Sequence, residues 1–236
     1  MKNRLIQQSE RDTPLYKADF NSYWETTYSQ LTKNSKFNTY SNSILFKNWK
    51  LAINSLGTKK FDTLFGELHE DTNASLYLAM FGLYRTAYMH LRSLIELSIQ
   101  LIFFYQHEVE YEQWEEGNYI MKFEQLSSYL QKHPKLKGKV IDNILSELYK
   151  NWKTYSKHIH AEKPLFFQCT KDSKLTNTFC KADFNRWEKQ YNGTIKLLNK
   201  IYILFFSDYL NRFPNVNREI ILTNLTKKDQ TDLGLS

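Results

Sequence analysis

LYLAMFGLYRTAYMHLRSLIELSIQLIFFY, residues 76–105, is a run of mostly apolar and aromatic side chains with no proline and one glycine, Gly82. Leu, Met and Ala make up much of its interior, so helix propensity and hydrophobic pattern agree. Asp71, Thr72, Asn73 and Ser75 stand just upstream as residues able to cap a first turn. At ~1.5 Å per residue such a helix is roughly 45 Å long, enough to cross a whole domain. The pattern predicts a long central helix over about 74–106, around which the rest of the chain packs.

The polar residues in this stretch carry the functional information. Arg85, His90, Arg92 and Glu96 interrupt an otherwise core-like segment, and burying charge without a partner is costly. At about 100° per residue, Arg85, Tyr88, Arg92 and Glu96 share an arc of roughly 80°, whereas His90 lies about 140° from Arg85. Arg92 and Glu96, four apart, are placed to pair. Two readings of that pair stand: an ion pair that fixes helix register, or a polar notch where Arg92 meets an anionic ligand and Glu96 orients it.

The composition agrees with helices. Sixteen Tyr, sixteen Phe and five Trp accompany only seven Gly and four Pro in 236 residues; few turn formers and long periodic runs predict an all-α, single-domain helical bundle. The net charge of +7 suits a polyanion such as nucleic acid, although the lysines are scattered as solvated surface charge also would be. The first fourteen residues lack the apolar core of a secretory signal, and the uncharged run 97–105 is too short to span a bilayer. The expectation is a cytoplasmic protein with no membrane association. Cys169 and Cys180 give neither a disulfide framework nor a zinc site and read as free thiols.

In chain order, residues 1–14 read as a flexible arm ending at Pro14. Tyr16, Phe20, Tyr23, Trp24, Tyr28 and Leu31 then recur at spacings of three and four, predicting a helix over 15–32. The Asn/Ser/Thr-rich segment 34–42 reads as a loop. Helices follow over 43–56 and 61–68, then the central helix. The acidic stretch 107–118 reads as an exposed connection, and 122–131 as a short helix closed by His133-Pro134. The second helix of interest spans 139–160, with Val140, Ile141, Ile144, Leu145, Leu148, Trp152, Tyr155 and Ile159 as its buried stripe. His158 and His160 fall in its last turn, where the helix dipole favours a charged imidazole. Residues 166–182 read as a loop, 184–212 as the last long helix, and 214–236 as a tail with a disordered end. The folded domain is thus 15–213.

Several chemistries are excluded by their motifs. The chain has no GxxxxGK[ST] or GxGxxG, no HExxH and no GxSxG. No cofactor or metal is called for. Arg, His, Glu, Ser and Tyr on two helices remain, a set suited to metal-free RNA cleavage: a histidine takes the proton of a ribose 2′-OH, an arginine stabilises charge on phosphorus, and a 2′,3′-cyclic phosphate results.

Arg85-Thr-Ala-Tyr-Met-His90 fits the Rx4-6H signature of the HEPN superfamily, all-helical proteins that include metal-independent RNases. MHLRSLIELSIQLIFFY (89–105) with ELYKNWKTYSKHIHAE (147–162) more specifically resembles HEPN-like helical proteins of bacterial defence systems, in which an R-S-L-x-E helix packs beside a helix ending in S-x-x-x-H. The resemblance covers about 75–165 and implies a composite catalytic site of Arg92, Glu96, Ser156 and His160. Arg85, His90, Lys153 and His158 are secondary candidates; Lys153 stands where the family's late signature carries arginine, and lysine lacks its planar two-pronged phosphate contact. The implied function is a metal-independent endoribonuclease acting as a toxin or antiphage effector, as a homodimer or with a partner protein. The alternative is a catalytically inert module of the same fold that binds RNA or a partner protein.

Overall fold

A computed structural model of the chain describes residues 2–136, 138–163, 166 and 179–235, leaving the side chains of 2, 3, 12, 13, 15–20 and 139 aside. Its described residues form an all-α single-domain bundle with no strand. The helices are α1 (Lys2–Gln30), α2 (Lys33–Ser43), α3 (Leu45–Asn54), α4 (Asp62–Met80), α5 (Tyr84–Phe104), α6 (Glu108–Glu115), α7 (Phe123–Lys132), α8 (Lys139–Ile159), α9 (Lys181–Phe205), α10 (Asn215–Thr223) and α11 (Lys227–Asp232), with a 3-10 segment at Ser207–Arg212. None of the described helices is long and apolar enough to cross a membrane.

The predicted central helix is two helices. The apolar run breaks at 81–83, and α4 and α5 fold back on one another as the most extensively packed pair in the bundle. Gly82 makes the turn. It sits at φ 73°, just past the end of α4, donating its N–H to Ala79 O (3.0 Å) while Leu83 N–H reaches back to Leu78 O (2.8 Å). These two reversed bonds satisfy the last carbonyls of α4, and a residue with a Cβ is disfavoured in that left-handed position. The lone glycine of the run was therefore a helix stop. A consequence is that Asp71, Thr72 and Ser75, read as caps, are buried inside α4.

α5 lies at the centre and packs on α4, α7, α8 and α9. Its stripe of Leu91, Leu94, Ile95, Ile99, Leu101 and Ile102 is buried. Polar anchors tie the surrounding helices. Asn199 of α9 accepts from Trp49 Nε1 of α3 (2.8 Å) and donates to Ile221 O of α10 (2.7 Å). Trp187 of α9 donates to Ser75 of α4 (3.1 Å), whose hydroxyl donates to Ala87 O of α5 (2.9 Å).

Four further expectations are corrected. Segment 34–42 is helical, not a loop: Thr32 caps α2 by accepting Ser35 N–H (3.1 Å), and Asn42 donates to Asn192 of α9 (2.6 Å). These polar tertiary contacts outweigh the weak helix preference of Asn and Ser. Residues 2–14 belong to α1, which runs through Pro14; proline removes one backbone bond, and the exposed face there leaves the freed carbonyl to water. The tail folds back: Ile221 is buried, and Asp229 binds Lys196 and Lys200 of α9. The acidic connection 107–118 holds a short helix, α6. Cys180 is a free, exposed thiol, whereas Cys169 and most of the 166–182 loop lie outside the described residues.

Candidate functional site

α5 and α8 run antiparallel, and their polar residues meet in three successive layers. At one end the Arg85 guanidinium donates to His158 O (Nε, 2.9 Å) and Ile159 O (Nη2, 2.8 Å). Those are carbonyls at the C-terminus of α8, where unpaired acceptors and the negative end of the helix dipole attract a cation. In the middle layer Tyr88 stacks on the His158 ring at a centroid distance of 4.1 Å and on Tyr155 at 5.3 Å. In the third layer Glu96 Oε1 accepts from Trp152 Nε1 (2.6 Å) and from Arg92 Nε (3.1 Å), and the Arg92 guanidinium lies 5.0 Å from the centroid of the same indole.

This geometry does not assemble the four-residue composite site. Arg92 and Glu96 do pair, and they meet α8 at Trp152. His160 lies eight residues, ~12 Å of helix, beyond that indole. It is exposed, at the level of Arg85, and its side chain has no hydrogen bond among the described residues. The Ser156 hydroxyl is turned back onto Trp152 O (2.8 Å). The antiparallel register puts the two ends of the predicted site in different layers, because Trp152 occupies the place facing Arg92.

The secondary candidates also separate. Lys153 is exposed above the Tyr149 ring, 4.3 Å from its centroid. His158 is buried, and burial together with Arg186 and Arg85 pushes its pKa down to about 4, with Asp183 opposing weakly. The expectation that the helix dipole would favour a charged His158 is thus reversed. Desolvation of an imidazole packed between aromatic rings exceeds the dipole's effect.

His90 points away from α8. Its Nδ1 is 2.8 Å from Asp71 Oδ1 of α4. The Asp71 side chain is 6% exposed and that of His90 33% exposed. A buried carboxylate on Nδ1 fixes the ring's tautomer and leaves Nε2 as the basic nitrogen. Asp71 was missed as a partner, since a spacing of nineteen residues across a turn carries no periodic signal.

A second polar region was legible only as scattered lysines. Arg186, Lys189, Lys196 and Lys200 of α9 line one wall of an open groove of about 520 Å³, opposite Glu147 and Asn151 of α8. Arg186 pairs with Asp183 (3.3 Å), and Lys196 and Lys200 share Asp229. Lys189 is exposed and has no carboxylate partner among the described residues. Asp229 is buried, which raises its pKa, but bonds from Lys196, Lys200 and Thr226 outweigh that and hold the carboxyl far below its usual range. Among the described residues no group of three or more His, Cys, Asp or Glu is placed to hold a metal ion.

Comparison with known proteins finds no match. No family model, curated protein or solved structure matches this chain.

Proposed function

We propose that this protein is a HEPN-like helical module of the cytoplasm that binds RNA through the α8–α9 groove. The observation that carries this reading is the line of four cations on one face of α9 beside an open groove, in a chain of net charge +7. Phosphate backbones are recognised by such spaced, water-accessible cations. The separation of Arg92 from His160 supports binding over cleavage by the composite site. The test is fluorescence anisotropy with a labelled RNA. Binding should weaken steeply as salt rises, and Lys189→Ala should weaken it and reduce the salt slope by about one. RNA affinity that is flat in salt, or absent at low salt, overturns the reading.

A second reading, a metal-independent endoribonuclease of a toxin or antiphage system, is favoured by one observation, the Asp71–His90 pair. There His90 Nε2 would take the proton of a ribose 2′-OH as O2′ attacks phosphorus. The 5′-oxygen leaves, taking up a proton, and a 2′,3′-cyclic phosphate remains. Arg85 is turned to α8, so a phosphate-binding cation would come from a second copy or a partner protein. Cleavage of RNA by the wild type and its loss in His90→Ala, with an unchanged melting temperature, would select this reading.

A further inference from the structure

The groove beside α8 supplies charge along one side of α9. The other side of the same helix faces α2, and there the chemistry changes. Two clefts, of about 480 and 280 Å³, open between α2 and α9 and meet at Asn38 and Asn192. Their walls are rich in carboxamides. Asn34, Asn38 and Asn185 are exposed, with no side-chain hydrogen bond among the described residues. Asn192 is instead held in place. Asn224 donates to Asn42 Oδ1 (2.5 Å) and Asn42 donates to Asn192 Oδ1 (2.6 Å), which occupies the carbonyl of Asn192 and leaves its NH2 without an acceptor among the described residues.

A carboxamide presents a donor beside an acceptor at fixed separation, the complement of a base edge. Beside these amides Phe37 is 55% exposed and lines the smaller cleft. One exposed aromatic ring means little alone. Set beside the exposed amide of Asn38 and the NH2 of Asn192, it offers a surface on which an unstacked base can lie. The two walls are continuous, because Lys189 borders both the larger cleft and the cationic groove, and Lys196 both the smaller cleft and that groove. Of the acidic groups nearby, Asp229 and Glu147 are paired with lysines, whereas Glu188 keeps its charge and borders the base side, not the lysine side. Glu188 accepts from Ser35.

We infer that the protein takes single-stranded RNA across α9, with phosphates along the lysine side and unstacked bases in the α2–α9 clefts, one of them against Phe37. A duplex keeps its bases stacked and their pairing edges turned inward, so it engages the charged wall alone. The inference rests on the RNA-binding reading above and adds which form of RNA is bound and by which surface.

The experiment measures anisotropy with the full-length chain and three labelled probes: an RNA of about twelve nucleotides, its duplex, and the DNA strand of the same sequence. Wild type is compared with Phe37→Ala and with an Asn38→Ala/Asn185→Ala double variant; all three side chains are exposed, and melting curves verify the fold. Single-stranded RNA should bind at least about tenfold tighter than duplex, and Phe37→Ala should weaken it by about 5- to 100-fold without changing duplex binding. The double variant should weaken single-strand binding in the same direction. DNA bound as tightly as RNA supports the same surface and shows that the ribose hydroxyl is not read. Equal affinity for strand and duplex, or single-strand affinity within twofold of wild type in both variants, overturns this inference and leaves the polyanion groove standing. Absence of binding to every probe at low salt removes both.

Discussion

Replacing Asp229 by alanine tests whether the folded tail is part of the domain. Its carboxylate is 10% exposed and binds Lys196 and Lys200, whose side chains are 30% and 17% exposed. It also accepts from Thr226 N–H (2.9 Å) and Thr226 Oγ1 (2.6 Å), closing the cap of α11. Removing one partner of a fully buried pair costs about 3–5 kcal/mol. Both lysines retain access to water, which lowers that figure; losing the cap adds about 1 kcal/mol. The expected destabilisation is therefore about 2–3 kcal/mol, or roughly 5–10 °C in melting temperature for a chain of this size. Because the folded carboxyl titrates below its unfolded value, its contribution is fully present above about pH 4 and is lost as pH falls further. Thermal melts of wild type and Asp229→Ala should thus differ most at neutral pH and converge toward pH 2. A difference under about 1 °C at pH 7 would show that the clamp contributes no stability and refute the argument.

Asn199→Ala leaves the Trp49 N–H and the Ile221 carbonyl without partners in the core, at an expected cost of about 2–5 kcal/mol in urea unfolding; a cost under 1 kcal/mol would contradict this role. His158 should titrate near pH 4 by NMR. Its folded pKa lies below the unfolded value, so it contributes stability above about pH 6.5 that fades as pH falls toward 4, and an observed value above 6 would disprove its burial. Gly82→Ala should destabilise by about 1 kcal/mol, because alanine resists the left-handed conformation that ends α4. Glu96→Ala should lower the melting temperature by a few degrees without altering RNA affinity, since Glu96 serves Trp152 and Arg92; a selective loss of RNA binding would return Arg92 and Glu96 to the site.

The sequence alone determined that the protein is all helical, because scarce glycine and proline leave long runs whose apolar residues recur at helical spacing. It located α3, α7 and α8 within a few residues. The wheel also separated Arg85 from His90, which in the fold turn to α8 and α4 respectively. What periodicity cannot report is where an apolar run reverses. Residues 74–106 keep one hydrophobic character on both sides of Gly82, and only the packing of α4 on α5 makes that glycine a turn. Nor does composition reveal that one face of a polar segment is buried, as that of α2 is, when Ser35 and Asn42 on it find partners on α9. The site followed the same rule. Arg92 and Glu96 paired as a local i, i+4 spacing dictates, whereas Asp71 with His90, Trp152 with Glu96 and Asp229 with two lysines depend on the register between helices. That register is decided by the whole core at once, so no short stretch of chain contains it.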